Sequence, residues 1–427
     1  MGFLNNIFSG YILPILLIAL GLFFGIKLRF FYIFHPVKTT QAILNNQKGG
    51  FKSLSVALAG TLGVGNIVGV ASAILSGGAG AVFWMWVSAL CAMSLKYCEV
   101  YLAMQYRRHN GTKFYGGAPY YINDGLRPKM GKKASFLLSC AFALLCVVNS
   151  LTTGNLVQIN AVSSIFPFSR LTVGIVATIC VFFVIVGGYK RISRLTSFLI
   201  PCLTFFYILI CLYVIVLNFR QLPNVVKKIF FEAFSKKSIV GGFYGYGIAS
   251  AIRYGVSRGV LSNEAGCGTS PSAHASSDSV NAHSQSCLGI FEVFVDTILL
   301  CSLTAFVILL SPSVLSDNAM ELVLNSFASF TGDFGRYSII ALSVLFAFAT
   351  IVCQFFYGEE AVGYISKSKK VKTIFVFVFS LIILVGAVIP MSLMWEISDL
   401  AISLMTIFNL ICLFILRKEI NDKNHSP

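Results

Sequence analysis

A run of 43 consecutive residues near the start of the chain, from Ser53 to Leu95, contains no charged side chain. As a single α-helix this run would be about 64 Å long. The hydrocarbon core of a bilayer is only about 30 Å thick, and one crossing takes about 20 apolar residues. The run must therefore fold back on itself, and the sequence GGAG at 77–80 is typical of a turn. The pattern predicts two consecutive membrane-crossing helices.

The composition extends this interpretation to the whole chain of 427 residues. Hydrophobic residues make up 57% of it and charged residues only 11%, whereas soluble domains contain about 25% charged residues. We therefore predict an all-α polytopic membrane protein, with residues 1–427 as a single membrane domain. The membrane is expected to be a bacterial-type plasma (inner) membrane. The net charge of +16 does not indicate a nucleic-acid partner, because the cations lie between apolar runs, where they orient a membrane chain.

The apolar runs predict about eleven transmembrane helices. An extra N-terminal helix is followed by two blocks of five, at 52–219 and 239–416, and by a cytoplasmic tail at 417–427. Because five is odd, the two blocks would have opposite orientations, which is an inverted repeat. The expected helices are 11–33, 52–76, 81–106, 134–161, 170–189, 195–219, 239–257, 285–311, 337–358, 372–391 and 395–416.

Lys and Arg are distributed unevenly over the connections between these helices. If the N-terminus lies outside, the inner connections hold 23 of these residues and the outer ones hold 7. Lys and Arg are enriched in cytoplasmic loops, so we predict an outside N-terminus and a cytoplasmic C-terminus. The segment 220–237 is an exception, because it holds five of the seven outer cations.

Two membrane segments, 60–69 and 241–247, are rich in glycine where a continuous helix is expected. Close helix packing through small residues is one explanation. However, each glycine inside a helix costs about 1 kcal/mol, and unwound backbone persists in a membrane only where it lines a cavity. One such break opens each five-helix block, which is typical of inverted-repeat transporters. Free N–H groups at a break suit a carboxylate and free carbonyls suit a cation, as in an amino acid with Na⁺.

Three long motifs support a more specific interpretation. They read GTLGVGNIVGVASAILSGGAGAVFWMWVSAL at 60–90, AIRYGVSRGVLSNEAGCGTSP at 251–271 and FVDTILLCSLTAFVIL at 294–309. Together they resemble motifs of the alanine/glycine:cation symporter family, the sodium:alanine symporters, and the resemblance extends from about residue 50 to 416. It implies the five-plus-five fold of the amino-acid–polyamine–organocation superfamily, and Na⁺-coupled uptake of alanine or glycine by alternating access.

The first break supplies most of the predicted substrate site. We expect the backbone N–H groups of Gly63, Val64, Gly65 and Asn66 to bind the substrate carboxylate, with Thr61 nearby. A break exposes such N–H groups because its residues lack helical partners.

Residues elsewhere in the chain complete that site. Tyr246 and Gly247, in the second break, are expected to face the same cavity. Gln158 matches a family position proposed to contact substrate, although a hydrogen bond between helices explains it equally well. Thr350 fits the family pattern T-T-I-L-G-W as a pocket hydroxyl, and Gln354 stands where that pattern has tryptophan. Because an amide offers donors and acceptors, glycine, serine or another small neutral amino acid fits as well as alanine.

Sodium prefers hard oxygen ligands. The predicted ligands are backbone carbonyls near Thr61 and Val64 together with the Thr350 hydroxyl. Na⁺ is expected as the coupling ion, with no other cofactor, and the sequence leaves the oligomeric state open.

Ionisable residues inside the membrane are functional candidates by default, although structural ion pairs with Arg253 or Arg258 explain them equally. Two histidines of the serine-rich loop 269–286, His274 and His283, are expected to be solvated. The intramembrane carboxylates are Glu99, Glu292, Asp296 and Asp399.

Other functions remain open at this stage. A proton-coupled or exchange carrier could use Glu292 or Asp296. A membrane-embedded enzyme would need a nucleophile–base pair or a ligand cluster within the helices, and no such motif is visible. A channel would keep a continuous pore, which two interrupted repeats around a closed site do not favour. We therefore predict a transporter and not an enzyme.

Overall fold

The computed structural model describes residues 2–46, 49–111, 113–166, 169–235, 247–312, 316 and 318–420. Helices make up most of this part, as predicted. Two short strands, β1 (Arg108–His109) and β2 (Phe114–Tyr115), form an antiparallel pair.

The helices follow one another with short connections. Short helical turns lie at Phe31–Phe34, Val64–Asn66 and Phe219–Gln221. The helices are α1 (Gly2–Lys27), α2 (Pro36–Leu44), α3 (Gly50–Thr61), α4 (Val68–Gly77), α5 (Gly80–Gln105), α6 (Ala118–Met130), α7 (Lys132–Ser163), α8 (Arg170–Ile185), α9 (Gly188–Leu217), α10 (Leu222–Phe234), α11 (Ile248–Asn263), α12 (Pro271–Ala275), α13 (Ala282–Leu310), α14 (Ala319–Ile365), α15 (Lys369–Val388) and α16 (Met391–Ile415).

Eight of the described helices are long and apolar enough to cross a membrane, or nine if the bent pair α3 and α4 counts as one crossing. The other two of the eleven predicted crossings correspond to α8 and α11, which are shorter. Residues 236–246, directly before α11, lie outside the described part. The count of eleven and the inverted repeat therefore stay predictions.

The helices differ in how much of their apolar surface is buried by protein. In α5, α13 and α14, 72% of the most apolar stretch is buried, compared with 33% in α9 and α15. Helices α5, α13 and α14 thus form the centre of the molecule, whereas α9 and α15 present broad apolar faces outward. Helix α14 is longer than the predicted helix at 337–358. It is also bent, because Gly332 (φ 61°, ψ −149°) interrupts the regular helical backbone.

The first glycine-rich segment breaks its helix, as predicted. The first half, α3, ends at Thr61, the second half, α4, begins at Val68, and the two halves are bent by 60°. The GGAG sequence then turns the chain from α4 into α5.

The second break was predicted at 241–247, and residues 241–246 of that range lie outside the described part. Within the described residues, the chain leaves the helix downstream, at 264–270, between α11 and α12. Gly266 (φ 84°) and Gly268 (φ 78°) occupy backbone conformations that only glycine adopts readily. All seven residues of this interruption are buried. The interruption that the structure describes lies in the NEAGCGTSP motif, and the break at 241–247 stays a prediction.

Candidate functional site

The first break is held on two sides by side chains from distant helices. The Val64 amide donates to Gln158 Oε1 on α7 at 2.9 Å. The Thr350 hydroxyl on α14 donates to the Leu62 carbonyl at 3.2 Å. Of the two roles considered for Gln158, the structure shows the hydrogen bond between helices. Both side chains thus fix backbone groups that a continuous helix would have paired internally.

Gly63 lies where these two side chains converge. A Cβ atom at this position would come within 2.5 Å of Gln158 Oε1 and 2.7 Å of Thr350 Oγ1. At Gly65, the nearest atom to an added Cβ would be Ser262 Cα at 3.4 Å, which is an ordinary contact. A methyl group at 63 would therefore displace these two side chains, whereas position 65 has room for one.

The three residues predicted to bind sodium lie at or beside the break. The Thr61 hydroxyl donates back to carbonyls of its own helix, those of Ala57 at 3.4 Å and Leu58 at 3.3 Å. The Val64 carbonyl accepts from the Ile67 amide at 3.2 Å. Together with Thr350, these residues offer uncharged oxygen atoms on both sides of the break.

Asn66 belongs to a buried polar cluster centred on Asp296. The Asn66 amide donates to Asp296 Oδ1 at 2.7 Å and to Ser262 Oγ at 2.9 Å. The hydroxyls of Ser262 and Thr297 each donate to Asp296 Oδ2 at 2.7 Å. Three neutral donors thus surround a carboxylate that is fully buried. Asn66 Oδ1 has no hydrogen-bond partner among the described residues.

Gln354 connects α14 to both interruptions. Its amide nitrogen donates to Glu264 Oε1 at 2.7 Å and to the Gly60 carbonyl at 3.2 Å. The other Glu264 oxygen accepts from Thr269 Oγ1 at 2.6 Å. On its other side, Gln354 packs so closely on Gly154 that a Cβ there would lie 2.5 Å from it. Glu264 was not singled out from the sequence. The usable signal was a charged residue among the uncharged residues of the motif GVLSNEAGCG.

A second buried charge network lies beside the 264–270 interruption. Lys96 donates to the Asn263 carbonyl at 3.0 Å and to Ser270 Oγ at 2.8 Å, and it pairs with Glu292 Oε1 at 3.2 Å. His274 Nε2 lies 3.2 Å from Glu292 Oε2. The expectation that His274 is solvated is wrong, because this side chain is fully buried. The cation beside Glu292 is Lys96 and not Arg253 or Arg258.

The other intramembrane carboxylates also have partners. Asp399 forms a two-contact ion pair with Arg258, at 2.5 and 3.2 Å. Glu99 accepts from the Gly266 amide at 3.1 Å and from the Asn409 side chain at 2.6 Å. These contacts support the structural explanation for Asp399 and show that Glu99 fixes the interruption at 264–270.

The structure does not bring Gly247 to the first break. Gly247 lies directly before α11, and the first residues of that helix pack on the far end of α4, where a Cβ on Gly77 would lie 3.2 Å from the Ser250 carbonyl. It is the other end of α11, at Ser262, that meets the break. Tyr246 lies outside the described residues.

A polar cavity of about 630 Å³ opens at the end of the molecule where α3 begins. A smaller cavity shares Tyr120 and Glu360 with it and reaches Thr269 and Tyr357, beside the Glu264–Gln354 contact. The five lysines of the larger cavity, which we call the vestibule, are Lys52, Lys113, Lys190, Lys367 and Lys372.

The other side of the break is closed. Leu62, Gly63 and Asn66 are covered there by the side chains of Tyr207, Leu300 and Phe346, with essentially no room for water. The vestibule and the smaller cavity lie at one end of the molecule and extend as far as Thr269 and Tyr357, beside the Glu264–Gln354 contact.

Comparison with known proteins identifies the family. The model of the sodium:alanine symporter family matches residues 1–425. The chain belongs to the sodium:alanine symporter family. Membership in this family, together with the apolar helices, makes it an integral membrane protein and an amino-acid–cation symporter, not an enzyme.

Relatives within the sodium:alanine symporter family cover nearly the whole chain. A sodium/alanine symporter of Methanococcus maripaludis is 33% identical in an alignment 435 positions long, which covers 96% of this chain and 93% of that protein. A probable sodium/glutamine symporter of Bacillus subtilis is 32% identical in an alignment 435 positions long, which covers 98% of this chain and 88% of that protein.

A solved structure shares the fold. A manganese transporter mutant of Eremococcus coleocola aligns with a TM-score of 0.55 over 86% of this chain and 76% of that one. The sequence identity is 14%, so this likeness concerns the fold alone.

Proposed function

We propose that this protein couples the inward movement of Na⁺ to the uptake of a small neutral amino acid by alternating access. The observation that carries the proposal is the broken helix α3–α4, whose unwound residues are fixed by Gln158 and Thr350. Unwound backbone at membrane depth is stable where it lines a site. The vestibule would be the open end of such a carrier, and the packing of Tyr207, Leu300 and Phe346 on the break would be its closed side.

The substrate carboxylate would bind at the unwound residues Gly63 to Asn66. Helix α4 begins directly after them, and the N-terminal end of a helix favours a negative charge. Alanine, glycine and serine are small enough for a site in which Gly63 already contacts two side chains. The side chain of the substrate would then contact Gln158, Thr350 and Gln354.

Na⁺ would bind the uncharged oxygens of Thr61, Val64 and Thr350, which are the hard ligands that this ion prefers. The donor set is chemically suitable, because each residue presents a hydroxyl or carbonyl oxygen beside the break. Asp296 offers a carboxylate on the other side of Asn66. A proton-coupled or exchange carrier that uses Asp296 is the second candidate, since this carboxylate is buried among neutral donors only.

The proposed setting is a bacterial-type plasma membrane, with the N-terminus outside and the C-terminus in the cytoplasm. The bias of Lys and Arg toward one set of connections supports this orientation. The lysine-rich vestibule would then open toward the cytoplasm.

Uptake by the purified protein in liposomes should depend on a Na⁺ gradient. Labelled alanine, glycine and serine are offered with NaCl outside, and replacement of Na⁺ by choline or K⁺ should abolish concentrative uptake. The reason is that no other cation provides the driving force in the proposed cycle. Full activity driven by a proton gradient alone, without Na⁺, would instead establish the proton-coupled alternative.

Gln354→Met should change the substrate ranking. Methionine keeps the approximate volume but removes the amide, whereas the tryptophan of the family pattern would press on Gly154. Sites that hydrogen-bond a substrate reject analogues lacking the partner group more strongly than apolar pockets do. In a competition panel of unlabelled amino acids, we expect the preference for serine over alanine to change by about tenfold.

The exposed Gln41 supplies a matched control, since Gln41→Met should leave the panel unchanged. Identical inhibition profiles for wild type and Gln354→Met would remove Gln354 from the substrate site and leave it a purely structural link to Glu264.

A further inference from the structure

Helix α10 lies in the segment 220–237, which is the exception to the uneven distribution of Lys and Arg in the sequence. One side of the helix is buried through Val225, Ile229 and Ala233, which are spaced one turn apart. The opposite side is exposed and combines cations with aromatic rings. We call this side, together with Phe219 and Arg220 of the turn before the helix, the basic–aromatic face; its residues on α10 are Lys227, Lys228, Phe231 and Phe234.

The buried side of α10 is attached to the turn between α4 and α5. Glu232 Oε2 accepts from the Ala79 amide at 2.8 Å. The Trp84 indole donates to the Ala233 carbonyl at 3.1 Å. Because α4 is the second half of the broken helix, α10 holds the end of that half-helix opposite the break.

Aromatic rings extend this attachment toward the surface. Phe83 contacts the rings of Phe230 and Phe234 with centroids 5.3 and 5.0 Å apart, and Trp84 lies 6.0 Å from Phe234. Phe231 is nevertheless 75% exposed. Large apolar side chains beside cations are typical of a helix in the lipid interface, where rings enter the acyl region and cations stay at headgroup level.

Charge complementarity identifies the partner. Between residues 219 and 235 the chain has three cations, and its one acid is Glu232, which already accepts from Ala79 and lies 4.0 Å from Lys228. The face therefore presents a net positive charge within a protein whose surroundings are a bilayer. A phospholipid with a negatively charged headgroup fits both features, because its headgroup pairs with the cations and its acyl chains contact the exposed rings.

We propose that the basic–aromatic face of α10 binds the headgroups of anionic phospholipids. Bound lipid holds α10 in place and, through Glu232 and Ala79, the α4–α5 turn. The anionic lipid content of the membrane thereby adjusts the transport rate. The coupling to rate rests on the proposed transport function, whereas the lipid contact itself does not.

The three tryptophans of the chain allow a direct test. Two of them, Trp84 and Trp86, lie beside the phenylalanines of α10, and the third is Trp395. In the full-length Trp395→Phe protein, all tryptophan emission comes from the region beside α10. Bromine quenches indole fluorescence on contact, so brominated phosphatidylglycerol should quench at a lower mole fraction than brominated phosphatidylcholine.

The double change Lys227→Gln/Lys228→Gln should lower this preference by about 25-fold, because each lysine near a charged membrane contributes about fivefold in affinity. A matched control, Lys369→Gln/Lys370→Gln at the start of α15, should keep it. In transport assays, wild type but not the α10 variant should respond to added phosphatidylglycerol.

Two results would overturn the proposal. Equal quenching by the two brominated lipids would show that the face has no preference for a negative headgroup. No quenching by either lipid would show that the face is covered by protein, such as a second copy of this chain. Both results come from fluorescence quenching and need no transport measurement, so they can be distinguished from a failure of the proposed function.

Discussion

Gly63→Ala should reduce transport by more than about tenfold, whereas Gly65→Ala should leave it close to the wild-type rate. The backbone at Gly63 (φ −124°, ψ −153°) is extended and any residue can adopt it, so the effect comes from contact alone. The added methyl group would displace Gln158 Oε1 and Thr350 Oγ1, which lie 2.5 and 2.7 Å from its position. The hydrogen bonds to Val64 and Leu62 would be lost with them.

The measurement is the initial rate of Na⁺-driven uptake in liposomes that contain equal amounts of each variant. Both changes add the same methyl group within two residues of each other, so a difference between them reports the local contacts. Equal rates for Gly63→Ala and wild type would mean that Gln158 and Thr350 do not hold a functional conformation of the break.

Lys96→Met should destabilise the folded protein by about 3–5 kcal/mol. Lys96 and Glu292 are both fully buried, and removal of the ammonium leaves the carboxylate in the interior without its cation. Removal of both charges in Lys96→Met/Glu292→Gln should recover much of that loss, because a buried ion pair is often little better than neutral residues of similar volume.

Unfolding of the detergent-solubilised variants, followed by tryptophan fluorescence against temperature, tests this expectation. The partly exposed pair Arg108–Asp124 supplies the control, since Arg108→Met should cost no more than about 1 kcal/mol. The same melting temperature for Lys96→Met and wild type would show that Glu292 does not depend on Lys96. A double variant that is less stable than Lys96→Met would also contradict the pairing, because removal of the unpaired carboxylate should recover stability.

Several features of the site followed from the sequence because they are local. The break at 62–67 is encoded by closely spaced glycines, which make helix formation costly at that point. Thr350 and Gln354 are four residues apart, so a helix places them on one side, and both do contact the α3–α4 region. The family motifs added Gln158, whose partner on the break could not be read from residue spacing.

The interruption at 264–270 shows what this reasoning missed. Glycines are frequent at 241–247 and in NEAGCGTSP alike, and glycine content alone did not predict an interruption in the second of these runs. The deciding contacts at 264–270 are long-range. Glu99 on α5 and Asn409 on α16 hold Gly266, while Lys96 binds the last carbonyl of α11.

The sequence by itself determined that the chain is a helical membrane protein, where the helix α3–α4 breaks and to which family the chain belongs. These properties depend on apolar run length, glycine spacing and continuous motifs, all of which act between residues close in the chain. The tertiary structure alone decided which charges pair, that His274 is buried, and that Ser262 rather than Gly247 meets Asn66. Those outcomes depend on how helices pack, because a buried polar group must find its partner on whichever helix lies beside it.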